Sequence, residues 1–160
     1  MVLRGPVRTA ARRFAEVVCP PGVRAGDRTD RVLGELELML GALQPTARTA
    51  VAAVFVLIDQ AARLHPRARG RRLGRLDDEA ADAYLRALLA RPGTAAQLAG
   101  RLKSLVVMCY YELPEARREI GYDPDPYITA VSRRRLDRYS ADIRATEAGV
   151  AAPDPWQDRR

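Results

Sequence analysis

Apolar residues recur at intervals of three and four along nearly the whole chain, and this spacing restricts its possible folds more than any other feature. In the first segment the recurring residues are Val7, Ala10, Ala11, Phe14, Val17 and Val18. This spacing places apolar side chains on one face of an α-helix. No run of the sequence shows the two-residue alternation typical of a strand, and no segment repeats at a fixed period. The sequence therefore predicts an all-α bundle of about six or seven helices.

Two segments are candidates for the centre of this bundle. Residues 51–58 are apolar on nearly every side, and a helix that is apolar all round is typical of a buried position. The segment from Thr94 to the tyrosine pair at 110–111 is the second candidate. At 160 residues the chain is expected to form one helical domain over 1–148, followed by a flexible, Pro-containing charged tail over 149–160.

Prolines and small polar residues mark where the helices begin. Thr29 or Asp30 can cap the second helix, and Pro45 suits the first turn of the third. Residues 76–79 are expected to start a further helix, because acidic side chains stabilise the positive end of the helix dipole. The last helix is expected to run from Pro126 to about Ala145, with four residues facing inward: Ile128, Val131, Tyr139 and Ile143.

The chain shows neither a membrane span nor a complete export signal. Its longest charge-free apolar run, 49–58, is about half of the roughly 20 residues that cross a bilayer. Arg12, Arg13 and Phe14 resemble the start of a twin-arginine signal, but Glu16 interrupts the apolar stretch that such a signal needs. We therefore expect a cytoplasmic protein, with co-export alongside a partner as the alternative. The two cysteines, Cys19 and Cys109, are interpreted as buried free thiols rather than a disulfide.

The residue types that usually carry catalysis are sparse. His65 is the only histidine, and a metal site needs more ligands than one. The acidic clusters at 77–79 and at Asp123 and Asp125 suit acid–base chemistry or a hard cation, but they suit helix caps and turns better. The sequence contains no Gly-rich phosphate loop and no G-x-S-x-G motif. We predict no catalytic, cofactor-binding or metal-binding residue, although an enzyme whose pocket the sequence does not reveal stays open.

Positive charge is the strongest compositional bias. The formal net charge is +7, and all but one of the basic residues are arginines. Clusters at Arg12–Arg13, 67–75 and 133–135 suit either solvated faces or phosphate contacts, and we favour solvated faces. The alternative function is a basic helical module that binds nucleic acid through the loop 67–75 and the face 133–135. The clusters lack a helix-turn-helix pattern and interleaved aromatics, so we expect no nucleic-acid partner.

The aromatics and prolines collect in one stretch, "CYYELPEARREIGYDPDPY", residues 109–127. Tyr110 and Tyr111 lie about 100° apart on a helix, so one can pack inward while the other keeps its hydroxyl at the rim. Pro114 ends that helix and starts another. Gly121 suits the left-handed position that often follows a helix, and Asp125 can cap the last helix ahead of Pro126. The stretch therefore predicts a rigid corner.

The longer stretch "LKSLVVMCYYELPEARREIGYDPDPY" resembles the C-terminal signature of the gluconate 2-dehydrogenase subunit 3 family. It is also similar to the helical N-terminal extension of some glucose–methanol–choline (GMC) alcohol and sterol oxidoreductases. The resemblance covers roughly residues 8–143, and "DPDP" replaces the more usual Pro-Gly turn. The matching residues of the distinctive block are Leu102, Leu105, Tyr110, Tyr111, Pro114, Gly121, Tyr122 and Pro124.

This resemblance implies a function for the chain. Members of the family are small subunits of FAD-dependent dehydrogenases, and the large subunit carries both the FAD and the proton-abstracting histidine. The chain is then expected to be a non-catalytic accessory subunit that binds and stabilises a separately encoded GMC-type oxidoreductase. Six residues are candidates for the partner interface: Tyr110, Tyr111, Gly121, Tyr122, Pro124 and Tyr127.

Overall fold

The computed structural model describes residues 3–150 and confirms the all-α class. Within these residues seven α-helices and four short 3₁₀ turns occur, and no strand is present. The 3₁₀ turns are Pro21–Arg24, Ala62–Leu64, Pro66–Ala68 and Leu73–Arg75. The α-helices are α1 Gly5–Val18, α2 Arg28–Gly41, α3 Pro45–Ala61, α4 Asp78–Leu89, α5 Thr94–Tyr111, α6 Pro114–Glu119 and α7 Asp125–Val150.

The described residues divide into two units, one ending at Ile120 and the other beginning at Gly121. The first unit contains α1 to α6, and the second contains α7. Helix α7 continues through the start of the predicted tail to Val150, and the rest of that tail, 151–160, lies outside the described residues. Among the helices described, none has the length and apolarity needed to cross a bilayer.

Helix α1 is the element that brings the first unit together. It packs against α2, α3, α4 and α5. Its buried face consists of Phe14 and three alanines, Ala10, Ala11 and Ala15. Because the distance between packed helices depends on the side chains at the contact, an alanine-rich face allows close approach. Phe14 meets Phe55 of α3 edge-to-face, with ring centroids 5.7 Å apart.

The two predicted central helices differ in how many other helices they contact, and both expose apolar residues, which in α5 are Leu98 and Met108. Helix α5 packs against α1, α2, α3, α4 and α6, which confirms its central position. Helix α3 buries Phe55 and Ile58 but exposes Leu57, so the prediction that it is buried all round is wrong. A helix that is apolar on nearly every side can still be packed on one side only, and its remaining apolar residues are then exposed.

The starts of α3 and α4 follow the sequence prediction, and the start of α2 does not. The Asp77 side chain accepts a hydrogen bond from the Ala80 amide at 2.8 Å, which confirms the acidic start of α4, and Pro45 lies in the first turn of α3. Neither Thr29 nor Asp30 caps α2, because both lie inside the helix. Thr29 donates its hydroxyl hydrogen bond to the Val23 carbonyl at 2.9 Å instead.

Arg13 is not a solvated residue, which corrects the prediction for the Arg12–Arg13 cluster. Its side chain is only 13% exposed. It donates to the Leu76 carbonyl at 2.7 Å and pairs with Asp78 at 3.0 Å. Arg24 pairs with the same carboxylate, and its hydrogen bond, followed by that of Arg13, lowers the pKa of Asp78 to about 2. Arg12 pairs with Asp30 of α2. These arginines form ion pairs within the protein, so their charges are not free to contact phosphate.

Both cysteines are free and buried, which confirms their predicted state. Cys109 of α5 lies 3.3 Å from the thioether sulfur of Met39 in α2. Burial raises the pKa of the Cys19 thiol to about 12 and that of the Cys109 thiol to about 11, from an ordinary value of 9.0. Both groups therefore stay as unreactive thiols near neutral pH.

This burial predicts the reactivity of the folded protein toward a thiol reagent. At pH 8 we expect neither cysteine to react with Ellman's reagent in the native protein, and both to react once denaturant unfolds it. Because the unfolded thiols release their protons near pH 9 and the folded ones do not, stability should fall as pH rises from about 9 to 12. Rapid modification of the native protein at pH 8 would contradict the burial of these thiols.

Candidate functional site

The tyrosine pair ends α5, and the structure assigns the two rings different environments. Tyr110 is 2% exposed, whereas Tyr111 is half-buried and packs against the edge of the core. Their ring centroids are 5.2 Å apart in an edge-to-face arrangement. The prediction that one ring packs inward is confirmed, and the inward ring is that of Tyr110. Of the two, Tyr111 is the one that retains accessible surface.

The hydroxyl of Tyr110 reaches a charged pair beyond the helix end. It donates a hydrogen bond to Oε2 of Glu119 in α6 at 3.3 Å. Nη1 of Arg28 donates to Oε1 of the same carboxylate at 2.7 Å and to the Gly22 carbonyl at 3.2 Å. Burial and the negative charge of Glu119 raise the pKa of Tyr110, and the hydrogen bond to Glu119 raises that of Arg28. We call these four residues the Tyr110 cluster: Gly22, Arg28, Tyr110 and Glu119.

Gly22 leaves the space that this cluster fills. A Cβ placed on Gly22 would lie 3.1 Å from Nη1 of Arg28 and 3.1 Å from the Tyr110 hydroxyl. Contacts this short force the neighbouring atoms to shift, and here those atoms are engaged in hydrogen bonds. Three members of the cluster, Gly22, Arg28 and Glu119, have no signal in the sequence. Arg28 and Glu119 are 91 positions apart, and no local pattern joins them.

Helix α6 is short but anchored at both its buried and its charged faces. Leu113 before it and Ala116 within it are buried. Nη1 of Arg31 in α2 pairs with Oε1 of Glu115 at 2.9 Å, and this hydrogen bond lowers the pKa of Glu115. Helix α6 is therefore tied to α2 through two separate arginine–glutamate pairs, Arg28–Glu119 and Arg31–Glu115.

Gly121 has the backbone conformation that its place in the sequence predicts. Its φ is +67°, in the left-handed region, and it follows Ile120, which ends α6. Glycine adopts this conformation without the Cβ clash that other residues meet there. A Cβ would find no atom within 4 Å, so the constraint on Gly121 comes from its backbone alone.

The remaining interface candidates belong to the second unit and are accessible. Tyr122 is 57% exposed and Tyr127 is 73% exposed, while Pro124 is partly buried. The Pro124 carbonyl accepts the Ile128 amide at 2.9 Å, and α7 already includes Asp125. The helix therefore starts one residue earlier than predicted, so Asp125 lies in its first turn rather than capping it.

Helix α7 exposes the apolar residues that the sequence predicts to face inward. Ile128, Tyr139 and Ile143 are exposed and Val131 is half-buried, so that prediction is wrong for the first three. Leu136 is also exposed. Apolar periodicity shows that these side chains share one face of a helix, but it does not show what covers that face. We call Ile128, Leu136, Tyr139 and Ile143 the α7 apolar face.

His65 and the carboxylate of Asp59 both make contacts that stabilise the fold. The His65 ring meets that of Tyr84 edge-to-face with centroids 5.8 Å apart. Burial raises the pKa of Tyr84 to about 12, and its hydroxyl donates to the Ile58 carbonyl at 2.8 Å. Asp59 is a buried carboxylate that the sequence analysis did not single out, and its Oδ1 accepts the Gly74 amide at 2.8 Å. Across residues 3–150, no three acidic, histidine or cysteine side chains group as metal ligands would.

Because the Tyr110 hydroxyl is hydrogen-bonded, we expect its removal to destabilise the protein more than removal of the Tyr111 hydroxyl. Tyr110→Phe should lower the free energy of unfolding by about 1 kcal/mol, because Glu119 loses a buried donor. Tyr111→Phe is the matched control, and its effect should stay within about 0.5 kcal/mol. Chemical denaturation of the two variants measures both values. Equal losses would show that the hydroxyl contact of Tyr110 contributes nothing specific.

The conformation of Gly121 predicts a second pair of variants. Gly121→Val should lower the free energy of unfolding by about 1 kcal/mol or more, because a β-branched residue is strained at positive φ. Gly121→Asn should cost less, since asparagine tolerates the left-handed region. Thermal unfolding of both variants against the wild type makes the comparison. Wild-type melting of Gly121→Val would contradict the positive φ.

Comparison of the chain with family models, curated proteins and solved structures finds no match in any of the three. The resemblance to the gluconate 2-dehydrogenase subunit 3 family therefore depends on the sequence of the chain alone, and the block 102–124 is its distinctive part. It remains a prediction about function.

Proposed function

We propose that this chain is a non-catalytic accessory subunit that binds and stabilises a separately encoded FAD-dependent GMC-type oxidoreductase in the cytoplasm. FAD and the reacting groups then belong to the partner. The class of partner is supported by the resemblance of the Tyr-Tyr and Gly-Tyr block to the family of such small subunits. The interaction itself is supported by the surface of the second unit.

The α7 apolar face is the observation that carries this proposal. Its four side chains fall within about 80° of arc at roughly 100° per residue, and all are exposed. Apolar side chains grouped on one exposed helix face are typical of a binding surface. Leu136, Tyr139 and Ile143 have the i, i+3, i+7 spacing with which helices fill an apolar groove on a partner. We infer that the partner supplies such a groove.

Polar and aromatic residues around this face suit an interface. Arg135, Asp142 and Glu147 lie beside its apolar side chains and can form a polar rim. Tyr122 and Tyr127 precede the face in the same unit and are exposed. Tyrosine is enriched among the residues that dominate binding energy. Tyr110, which is buried, does not contribute to the proposed contact surface.

Co-purification tests the proposal directly. The chain is co-expressed with each GMC-type oxidoreductase encoded in the same genome and purified through a tag on this chain. We expect a yellow eluate that contains a larger flavin-bearing polypeptide. A colourless eluate without that polypeptide would refute the proposed partner.

Variants of the α7 apolar face test where the partner binds. Leu136→Glu with Tyr139→Glu should reduce recovery of the large chain at least about tenfold, because it places two charges in an apolar contact. The matched control, Ala130→Glu with Ala141→Glu, adds the same charge at exposed positions on the opposite side of α7. Both variants should retain wild-type helicity by circular dichroism. Equal recovery with both would exclude the α7 apolar face as the contact.

A further inference from the structure

Four arginines of the first unit converge on one small pocket. The pocket has a volume of about 260 Å³ and is lined by Arg63, Gly70, Arg71, Arg72 and Arg75. Arg63 belongs to the 3₁₀ turn after α3, and the other residues belong to the loop that leads to α4. We call this site the arginine pocket.

The charges in this pocket are not neutralised by the rest of the described chain. Among residues 3–150, no carboxylate pairs within 4.0 Å with Arg63, Arg71, Arg72 or Arg75. The adjacent Arg67 differs, since it lies 3.9 Å from Glu79. In addition, Nε of Arg72 is buried and has no hydrogen-bond acceptor within the described part of the chain. A buried donor without an acceptor is costly, and an anionic ligand that reached this nitrogen would supply the missing acceptor.

Hydrogen bonds and a buried side chain hold the backbone of the loop that carries Arg71, Arg72 and Arg75. The Arg71 amide donates to the Ala68 carbonyl, and the Arg75 amide donates to the Arg72 carbonyl, each at 2.9 Å. The side chain of Leu73 is buried. The buried carboxylate of Asp59 in α3 holds the Gly74 amide at 2.8 Å. Long arginine side chains can still adjust, but their Cα positions are set by these contacts.

Like charges held near one another repel, and a multivalent anion between them converts that repulsion into attraction. Guanidinium groups present planar pairs of donors that match the oxygens of a phosphoryl group. Several guanidinium groups around one pocket suit a ligand with several phosphoryl oxygens close together. No aromatic side chain from the described residues lines the pocket, so nothing there would stack on a base.

We propose that the arginine pocket binds a compact polyphosphate group, such as a triphosphate. A nucleic-acid strand spreads its charges along its length and is better matched by a stripe of basic residues than by one pocket. The compact group is therefore the ligand that the geometry favours. This site is separate from the α7 apolar face and does not depend on the proposed oxidoreductase partner.

Titration calorimetry with inorganic tripolyphosphate at low salt tests the proposal. We expect binding by the wild-type chain, and a rise in melting temperature with ligand concentration. Arg71→Ala with Arg75→Ala should weaken binding at least about tenfold, since two forks are lost. The matched control, Arg101→Ala with Arg144→Ala, removes the same charge elsewhere and should change affinity less than about threefold. All four positions are exposed, so the folds of both variants should survive.

Lysine replacements and other anions complete the test. Arg71→Lys with Arg75→Lys keeps the charge but loses the forked donors, so its affinity should lie between those of the wild type and the alanine variant. Tighter binding of ATP than of tripolyphosphate would assign the site to nucleotides, equal binding would assign it to phosphate alone, and either supports the pocket.

Three results would overturn the proposal. The first is no detectable binding of tripolyphosphate at low salt. The second is an equal loss of affinity in the Arg101 and Arg144 control. The third is an oligonucleotide that binds more tightly than tripolyphosphate and loses affinity steeply with salt, which would indicate a nucleic-acid surface instead.

Discussion

The first unit depends on the close packing of α1 against four other helices. Ala10, Ala11 and Ala15 give α1 a narrow buried face, and Phe14 fills the space that the alanines leave toward α3. Larger residues at the alanine positions would push the surrounding helices apart, and cores tolerate such additions poorly. The ion pairs of α1 act on the same contacts, because Arg13 joins α1 to α4.

The helices themselves could be predicted from the sequence because their signal is local. A period of three to four residues and a proline at the start of a segment are contained within the segment, and Pro45 and Asp77 mark their helices correctly. What covers each helix is decided by residues far away in the chain. This explains why α3 and α7 were predicted to be more buried than they are. It also explains why the buried Asp59, which holds a loop amide 15 positions away, gave no signal.

The candidate site likewise contains one feature that the local sequence predicts and one that depends on residues far apart in the chain. The positive φ of Gly121 follows from its place after a short helix, and the sequence predicts it. The Tyr110 cluster brings together residues from the 3₁₀ turn at 21–24, α2, α5 and α6, so only a structure reveals it. Among the interface candidates, Tyr122 and Tyr127 are exposed, whereas Tyr111 is half-buried. Tyr110 thus has a structural role, whereas Tyr122 and Tyr127 have a proposed binding role.

The lack of room at Gly22 has a consequence for how this chain can vary. A Cβ at Gly22 would lie 3.1 Å from both Arg28 and Tyr110, so a replacement of this glycine must be accommodated by a shift of those two side chains. Gly22, Arg28 and Tyr110, which are far apart in the sequence, therefore share one steric constraint. In related chains these positions should change together or remain as they are, whatever the rest of the surface does.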